Sequence, residues 1–363
     1  MSIQLPLNQI IPGNCIEEMA RLPEKSVDVI FADPPYFLQL QRDLYRPNLS
    51  KVNAVADKWD KFSGFDEFDK FTISWLSACQ RILKDTGTIW VIGSYHSIFR
   101  VGTFMQNLGF WILNDIVWIK TNPMPNFRGV RFSNAHETLI WAQKKKGARY
   151  TFNHIDAKSL NDDLQMRSDW TFPLTSGKER LKVNGNKLHS TQKPFSLLYR
   201  VLLASTNPDD IVLDPFFGTG TTGAVAKILH RNWIGIEKEK KYIKAAQKRI
   251  DQTTPLPLDS ILLEENHRHK RIPFGHLIEL GLLTPGENLW AGKNGCEAKV
   301  LSNGKIKCQG KVDSIHGMAK TLSNSPANGW EFWFFKDANG ELKPIDNLRK
   351  QVREQYEQES PDR

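Results

Sequence analysis

The sequence is poor in cysteine and has no long apolar run. Its four cysteines, Cys15, Cys79, Cys296 and Cys308, show no Cys-x-x-Cys spacing. Zinc sites and disulfide frameworks need closely spaced cysteines, so we expect four single thiols in a reducing compartment and no metal. No apolar stretch approaches the ~18 residues of a membrane helix, and no basic-then-apolar leader begins the chain. These absences argue against a secreted, a zinc-binding or a membrane-spanning protein.

What the chain has in excess is positive charge. Its 49 lysines and arginines outnumber 40 aspartates and glutamates, which gives a formal net charge of +9 over 363 residues. The 40% hydrophobic and 25% charged content is that of a globular protein long enough for a full core and a second, smaller domain. A basic surface favours a polyanionic partner because phosphates release counterions on binding, although charge alone does not establish one.

Strand and helix patterns alternate along most of the chain. The order strand, helix, strand, helix over 211–250 predicts a βαβ unit, which requires a parallel sheet with helical crossovers. We therefore expect an α/β fold, a Rossmann-like, mostly parallel sheet with helices on both faces, plus a small C-terminal α+β domain. The predicted strands are 27–32, 88–93, 111–119, 138–141, 211–213 and 233–236, and the predicted helices are 71–83, 194–205, 220–230 and 240–250.

Composition divides the chain into two expected domains, 1–252 and 272–363. A linker over 253–271 contains prolines and a basic run at its end, and the C-terminal domain has the turn signals Asn303-Gly304 and Asn339-Gly340. Two irregular polar insertions, at about 38–64 and 122–185, interrupt the first domain. Long insertions of this kind are usually functional or disordered, so we interpret both as loops that contact the substrate.

Two short segments carry the chemistry, and each follows a predicted strand. Asp33-Pro34-Pro35-Tyr36 comes after the strand at 27–32, and Asp214-Pro215-Phe216-Phe217-Gly218-Thr219-Gly220 comes after the strand at 211–213. Open α/β sheets bind ligands at the carboxyl ends of their strands. We therefore expect both segments to lie at one edge of the sheet.

The second segment opens a glycine-rich loop. Residues 218–223 match G-x-G-x-x-G between a strand and a helix, and Glu237 ends the next strand, where an acid can accept hydrogen bonds from ribose hydroxyls. Taken alone, this pattern fits a dinucleotide-dependent dehydrogenase as well as an enzyme that binds another adenosine cofactor. A tight turn without any ligand is a third explanation.

The first segment decides between these explanations. Its two prolines fix the backbone, so that the Pro34 carbonyl and the Asp33 carboxylate can face one point. An adenine amino group donates two hydrogen bonds, and a nitrogen that donates both is a better nucleophile toward an electrophilic methyl group. Tyr36 offers an aromatic face for the base. A plain turn in which Asp33 caps a helix is the simpler alternative, but it does not explain why this segment occurs together with the glycine loop and Glu237.

With these motifs in this order, the chain resembles the β-class S-adenosylmethionine-dependent adenine-N6 DNA methyltransferases. More narrowly, it resembles the bacterial cell-cycle-regulated enzymes that modify GANTC sites. The resemblance implies S-adenosyl-L-methionine as cofactor, double-stranded DNA as partner and a bacterial cytoplasmic, nucleoid-associated location; a homodimer is left open. It extends through almost the whole chain and is carried by residues 22–28, 90–96, 122–127, 134–138, 191–194, 328–330 and 344–346.

The motifs and the resemblance together predict three groups of site residues. The catalytic group is Asp33, Pro34, Pro35 and Tyr36. The cofactor-binding group is Asn14, Cys15, Asp33, Lys193, Asp214, Phe216, Gly218, Gly220, Thr221, Thr222 and Glu237. The DNA-binding group is Leu40, Leu44, Arg46, Asn122, Arg131, Ser314, Asn328 and Trp330.

Simpler roles compete with several of these assignments. Leu40 and Leu44 would also serve as loop packing, and an arginine such as Arg46 or Arg131 can bind phosphate without reading sequence. Trp330 would fit the small domain's core, where we also expect Trp333 and Phe334. The chain departs from the family at Asn14, where an aspartate is usual, and at Ser190, where a proline is usual; an amide oxygen still accepts a hydrogen bond from the cofactor's adenine.

Other functions stay open at this point. An RNA or protein-glutamine methyltransferase uses a related segment, and a non-catalytic DNA-binding protein would explain the charge. The match of the C-terminal domain to DNA enzymes disfavours the former, and two intact site motifs disfavour the latter. A methyltransferase acting on another DNA site is also compatible with the motifs.

Overall fold

The protein is described by a computed structural model that covers residues 4–38, 44–45, 51–52, 60–126, 129–161, 164–183, 185–257, 272–292, 295–325 and 327–358. The chain divides into two compact units, Met1–Glu264 and Glu265–Arg363. In the described part of the chain, no helix is long and apolar enough to span a membrane.

The first unit alternates strands and helices as expected. Its strands are β1 (Gln9–Pro12), β2 (Val27–Ala32), β3 (Leu44–Tyr45), β4 (Lys51–Val52), β5 (Leu83–Gly93), β6 (Trp111–Lys120), β7 (His136–Gln143), β8 (Asp169–Phe172), β9 (Lys182–Val183), β10 (Asn186–Lys187), β11 (Ile211–Asp214) and β12 (Asn232–Glu237). Its helices are α1 (Cys15–Arg21), α2 (Phe65–Ile82), α3 (Ile98–Asn107), α4 (His154–Ser159), α5 (Phe195–Ser205), α6 (Thr221–Ile228) and α7 (Lys240–Asp251).

Eight strands form one mixed sheet in the order β1-β12-β11-β2-β5-β7-β6-β8. All neighbours in it are parallel except β7, which is antiparallel to both β5 and β6. The expectation of a Rossmann-like, mostly parallel sheet is therefore confirmed. Because they are parallel, β1, β2, β11 and β12 all end at the same edge of the sheet.

Helices cover both faces of this sheet, as the continuous apolar run of β2 requires. A strand buried on both sides has no polar face. Ile30 packs in a cluster with α1, α2 and α3, whereas Val29 and Phe31 pack in a second cluster with α5 and α6. The central strands are thus fixed from both sides, which makes the loops at their carboxyl ends a rigid platform.

The stretch 122–185 contains more regular structure than the one strand expected at 138–141. It contains β7, α4 and β8, and β7 is an integral strand of the main sheet. The reason is the apolar run Leu139–Ala142, whose four side chains are all buried. The short strand β9 also lies in this stretch. Of 38–64, much lies outside the described residues, which show only β3 and β4 as a short antiparallel pair.

The second unit is an α+β domain. Its elements are α8 (Phe274–Glu279), β13 (Asn288–Ala291), β14 (Glu297–Val300), β15 (Ile306–Cys308), β16 (Lys311–Asp313), α9 (Ile315–Ser323), α10 (Gly329–Phe332), β17 (Trp333–Lys336), β18 (Leu342–Pro344) and α11 (Asp346–Gln358). The six strands form an antiparallel sheet in the order β16-β15-β14-β13-β17-β18. The two Asn-Gly signals mark hairpins, since Gly304 and Gly340 have positive φ between paired strands.

One expectation about this unit was wrong. Cys296 and Cys308 are joined in a disulfide, so the four cysteines are not all single thiols. The fold brings them together because β14 and β15 are adjacent antiparallel strands. Cys15 and Cys79 in the first unit are free and buried.

Candidate active site

Both chemical segments meet at one edge of the main sheet. β2, β11 and β12 are parallel, so Asp33, Asp214 and Glu237 lie at their carboxyl ends on the same side. A cavity of about 260 Å³ lies there, and its walls include Asp33–Tyr36 together with Asp214–Thr219. The sequence predicted this convergence.

The cavity brings the predicted residues of the first unit together. All four catalytic candidates line it, and so do the cofactor candidates Asn14, Cys15, Asp33, Lys193, Asp214, Phe216, Gly218, Thr221, Thr222 and Glu237. Gly220 is not among the lining residues. Its φ is +74°, and a Cβ there would lie 2.7 Å from the Cβ of Ala246 in α7. This glycine is required by the turn and by close packing of the helices.

Two carboxylates hold the glycine loop from within. Asp214 accepts hydrogen bonds from the Phe216 N–H at 2.9 Å and from Thr222 Oγ1 at 2.6 Å. Glu237 accepts from the N–H of Gly218 at 2.7 Å and from that of Glu239 at 2.8 Å. Burial raises the pKa of Asp214 to about 7 and also raises the pKa of Glu237. The loop conformation therefore depends on two buried acids.

Asn14 and Cys15 form another part of the wall, at the start of α1. Asn14 Oδ1 accepts from the Ile16 N–H at 2.9 Å, so its side chain caps the helix. Asparagine caps helices as well as aspartate does, which explains why α1 tolerates the departure from the family pattern. Burial raises the pKa of the Cys15 thiol to about 12, so this cysteine is neutral and is no nucleophile.

Asp60 fixes the turn that follows Asp33. Its Oδ1 accepts from the N–H groups of Tyr36 and Phe37 at 2.7 and 2.8 Å, and its Oδ2 accepts from the Leu38 N–H at 3.0 Å. Phe37 has a φ of +50°, a left-handed conformation that costs a non-glycine residue free energy. Three hydrogen bonds to one carboxylate offset that cost. Asp60 is thus the anchor of the Asp33–Tyr36 turn.

A group of buried charges lies behind the same turn. Lys193 Nζ is 2.7 Å from Asp33 Oδ2, and Lys120 Nζ is 2.9 Å from Glu137 Oε1. The Tyr36 hydroxyl donates to Glu137 Oε2 at 3.0 Å. Burial raises the pKa of Asp33, and the nearby Lys193 only partly offsets this effect. Burial also acts to raise the pKa of Glu137, but the two cations Lys193 and Lys120 outweigh it, so the pKa of Glu137 is lowered. Burial keeps Tyr36 protonated, because it raises the pKa of the phenol well above its usual value.

The chemistry of the cavity suits an adenosine cofactor. Each oxygen of Glu237 accepts one backbone N–H and retains lone pairs that can accept from a ribose diol. The amide of Asn14 can accept from an adenine amino group, and Phe216 and Ile236 supply apolar wall for a purine ring. The residues present therefore fit the expected cofactor. In the ranges that the structure describes, no group of three or more His, Cys, Asp or Glu side chains could hold a metal ion.

The DNA-binding candidates of the first unit are only partly described. Asn122 and Arg131 lie in the connection from β6 to β7. β6 runs in the same direction as β5, so this connection follows the carboxyl end of β6, at the sheet edge that also carries the cavity. Asn122 Oδ1 accepts from the Leu174 N–H at 2.7 Å, and Arg131 is exposed. Leu40 and Arg46 lie outside the described residues, and for Leu44 only the backbone of β3 is described.

The candidates of the second unit have structural partners. Ser314 caps α9 by accepting from the Gly317 N–H at 3.0 Å, and Asn328 caps α10 by accepting from the Trp330 N–H at 3.2 Å. Trp330 is only 6% exposed, and the Arg349 guanidinium lies 4.4 Å from its ring centroid. Contacts of these three residues with DNA stay a prediction. The basic run at the end of the linker lies outside the described residues.

Sequence reasoning missed three residues of the site, Asp60, Lys120 and Glu137. Glu137 had a signal, since it belongs to the run 134–138 that carries the family resemblance. Asp60 and Lys120 had none, because an isolated acid and a strand-terminal lysine have no distinguishing pattern. Both were found only through their contacts.

Comparison with known proteins agrees with the geometry. A model of the DNA methylase family N6_N4_Mtase matches residues 27–248, and the family Restriction Enzyme Adenine Methylase Associated matches residues 263–358. Type II methyltransferase M.HinfI of Haemophilus influenzae is 50% identical over 345 residues, which are 94% of this chain and 96% of that protein. Type II methyltransferase M2.DpnII of Streptococcus pneumoniae is 42% identical over 243 residues, 67% of this chain and 89% of that protein.

A solved structure shares the fold of the first unit. The crystal structure of an M1.HpyAVI–SAM complex is 31% identical and superposes with a TM-score of 0.50, covering 67% of this chain and 98% of that one. The family model spans the segments that build the cavity, from β2 through α7. On the strength of these matches, the chain belongs to the DNA methylase family.

Proposed function

We propose that this protein transfers a methyl group to the N6 amine of an adenine in double-stranded DNA, within GANTC sites. The observation that carries the proposal is a single cavity lined by both the Asp33–Tyr36 turn and the glycine loop with Glu237. The adenine assignment is supported by the match of residues 263–358 to a family named for adenine methylases. The GANTC site rests on the sequence resemblance.

The cofactor is S-adenosylmethionine, as family membership and a relative solved with SAM indicate. When bound, it supplies an electrophilic methyl group on a sulfonium sulfur that keeps the electron pair of the broken carbon–sulfur bond. Glu237 would accept from the ribose hydroxyls and Asn14 from the adenine amino group, while Gly218 lets the loop backbone pass close to the ligand at its φ of +52°.

Asp33 and Pro34 prepare the nucleophile. Lys193 engages Oδ2 of Asp33, so Oδ1 is the oxygen oriented for one N–H of the target amine, and the Pro34 carbonyl accepts the other. The amine nitrogen forms the new bond to the methyl carbon with its lone pair and then sheds its surplus proton, for which Asp33 Oδ1 is the nearest proposed acceptor. Orientation and preorganised acceptors supply the rate enhancement.

The target adenine must leave the DNA stack to reach Asp33. An amine inside a duplex is inaccessible to a cavity of this kind, so we infer that the base is flipped out. Tyr36 is held for stacking by two contacts, its N–H to Asp60 and its hydroxyl to Glu137. A ring fixed at both ends presents one face in one orientation, which favours a single base position.

Recognition of the DNA is proposed for both units. We assign catalysis to 1–252 and sequence reading to 272–363, with 253–271 as linker. Asn122 and Arg131, in the connection between β6 and β7, are proposed to contact the strand that carries the target. Arg131 is exposed and available to a phosphate or a base edge. The net charge of +9 supports a polyanionic partner.

The test is direct detection of methylated adenine. Purified protein and labelled S-adenosylmethionine are incubated with a GANTC duplex, with duplexes changed at each position, and with matched RNA; Asp33→Ala is the inactive control. We expect label on the GANTC adenine alone. Label at another DNA adenine would refute the site but retain the reaction, and label on cytosine or on RNA alone would refute the adenine-N6 DNA assignment.

A further inference from the structure

Four buried charged side chains lie behind the catalytic turn. Lys120 and Glu137 are 7% and 11% exposed, and Lys193 and Asp33 are 6% and 16% exposed. Two lysines and two carboxylates make the group neutral as a whole. Buried charges are costly unless they are paired and hydrogen-bonded, so loss of one member leaves the others uncompensated.

Glu137 is the centre of this group. Its Oε1 pairs with Lys120 on the neighbouring strand, and its Oε2 accepts from the Tyr36 hydroxyl at 3.0 Å. The same Oε2 lies 3.9 Å from Lys193 Nζ. Glu137 and Lys120 do not line the cavity. They therefore act on a bound base only through the residues that they hold.

Lys193 connects Glu137 with Asp33. Its ammonium donates to Asp33 Oδ2 at 2.7 Å and to the Thr191 carbonyl at 3.2 Å, and it lies 5.0 Å from the Tyr36 ring centroid. Two of these contacts are with the catalytic turn, and the third is with the connection that carries Lys193 itself. The glycine loop and Glu237, where the ribose is proposed to bind, make no hydrogen bond or ion pair with this lysine among the contacts described.

We propose that Lys193 and Glu137 are positioning residues for methyl transfer. Glu137, fixed by Lys120, holds the Lys193 ammonium against Oδ2 of Asp33 and the Tyr36 ring in its stacking orientation. Lys193 in turn leaves Oδ1 of Asp33 for the target amine and stabilises the ionised form of that carboxylate. The inference rests on the proposed function and replaces the assignment of Lys193 to cofactor binding.

The charge of Lys193 has a measurable consequence. Asp33 faces Lys193, Glu137, Tyr36 and Asp214, and Lys193 is the one cation among them. The ionised carboxylate is the stronger acceptor for the amine and is the form that can take its surplus proton, so activity falls as pH decreases through the pKa of Asp33. A cation in contact lowers a carboxyl pKa, and its removal should move the acidic limb of the rate profile to higher pH by about one unit or more.

The experiment measures kcat against pH, the Kd of S-adenosylmethionine by calorimetry, and thermal stability. For Lys193→Met we expect kcat at neutral pH to fall about 100-fold, with the acidic limb shifted upward and the cofactor Kd within about threefold of wild type. Lys193→Arg keeps the charge, so its acidic limb should stay at the wild-type pH. Lys144→Met is the matched control, since Lys144 is a half-buried, ion-paired lysine remote from the cavity.

Glu137→Gln tests whether Glu137 holds Lys193 and the Tyr36 ring in place. It keeps the size of the side chain but removes the charge that holds Lys120 and Lys193, and we expect kcat to fall at least about tenfold with an unchanged cofactor Kd. Should this variant not fold, Tyr36→Phe removes the hydroxyl that contacts Glu137 and Asp33 and keeps the ring, and a rise in KM for DNA is then expected.

Specific results would overturn the proposal. A tenfold weaker cofactor Kd in Lys193→Met with kcat preserved at saturating cofactor would return this lysine to the cofactor site. An acidic limb that moves equally in the Arg and Met variants, or a wild-type kcat in Glu137→Gln, would remove the positioning role. All three results presuppose an active wild-type enzyme; a wild type that methylates no DNA would instead refute the proposed function.

Discussion

Replacing Asp60 with alanine should impair catalysis because Asp60, which lines the cavity, anchors the turn that carries Asp33 and Tyr36. The substitution removes acceptors from three backbone N–H groups, those of Tyr36, Phe37 and Leu38. A hydrogen bond to a charged group contributes about 1.5–3 kcal/mol. Water can reach the half-buried Phe37 and Leu38 and replaces part of the loss, so we expect the free energy of unfolding to fall by about 3 kcal/mol.

The same change should release the turn. Phe37 keeps its left-handed φ of +50° against a cost of about 1–3 kcal/mol, and without Asp60 nothing described offsets that cost. Displacement of Asp33 and Tyr36 by ~1 Å would lower kcat about 100-fold. Asp60→Asn keeps one accepting oxygen and should show an intermediate loss.

The assays are thermal unfolding and single-turnover methylation at saturating cofactor. A loss of ~3 kcal/mol corresponds to a Tm lower by about 6 °C or more in a unit of this size. Asp210→Ala is the control, because Asp210 also accepts a backbone N–H, that of Asn207 at 2.7 Å, in the loop before β11 at the opposite edge of the sheet. It should lose stability and keep its rate. A wild-type rate in Asp60→Ala would refute the argument that the turn must be anchored.

Four further predictions concern the cavity and the units. Asp33→Ala should abolish methyl transfer and leave the cofactor Kd nearly unchanged, and Asp33→Asn should be severely impaired; calorimetry and a methylation assay check both, and near-normal turnover would contradict the catalytic assignment. Glu237→Ala should raise the cofactor Kd about 10- to 100-fold, since a charged hydrogen bond of about 1.5–3 kcal/mol is lost; an unchanged Kd would place the ribose elsewhere. Burial raises the pKa of Asp214 to about 7, so the folded protein holds a proton that the unfolded chain has released, and stability should decline as pH rises from about 4 to 7. Asp214→Asn should flatten that decline in urea unfolding of the cofactor-free protein, and equal slopes would show that another group is responsible. Truncation after Pro257 should leave a folded first unit that still binds cofactor, because Leu256 is retained and donates to the Ile228 carbonyl. This unit should have lost DNA affinity and site selection, and full selectivity after truncation would mean that the second unit does not read the DNA sequence.

The parts of the fold that the sequence predicted are those with a strong local pattern. β2 has the predicted bounds, because a six-residue segment with five apolar residues is followed by Asp-Pro-Pro, which ends the strand. The order from β11 to α7 was also predicted, since each element is bounded by glycine, asparagine or a charged residue. α1 was not predicted: it has two turns, and its capping by Asn14 is visible only once the backbone is known.

The insertion of β7 shows what a local pattern cannot give. Its apolar run was recognised as a strand, but the sequence does not say that the strand lies between β5 and β6 in reversed direction. That placement is a matter of long-range pairing. It matters for function, because it brings the first residues of β7, including Glu137, back to the edge at which β2 and β6 end.

The partners of the buried charged side chains also depend on long-range pairing. A buried carboxylate that stays ionised, as proposed for Asp33, needs a compensating cation nearby. The run 191–194 marked Lys193 as a site residue, but the sequence did not say that this lysine pairs with Asp33. The fold shows that pairing, because it places Lys193 directly in front of α5, and it selects Lys120 by pairing β6 with β7. Motifs thus mark the groups that touch a ligand, whereas the groups that hold them are set by strand order, and substitutions in the second set should change rate and pH dependence before they change binding.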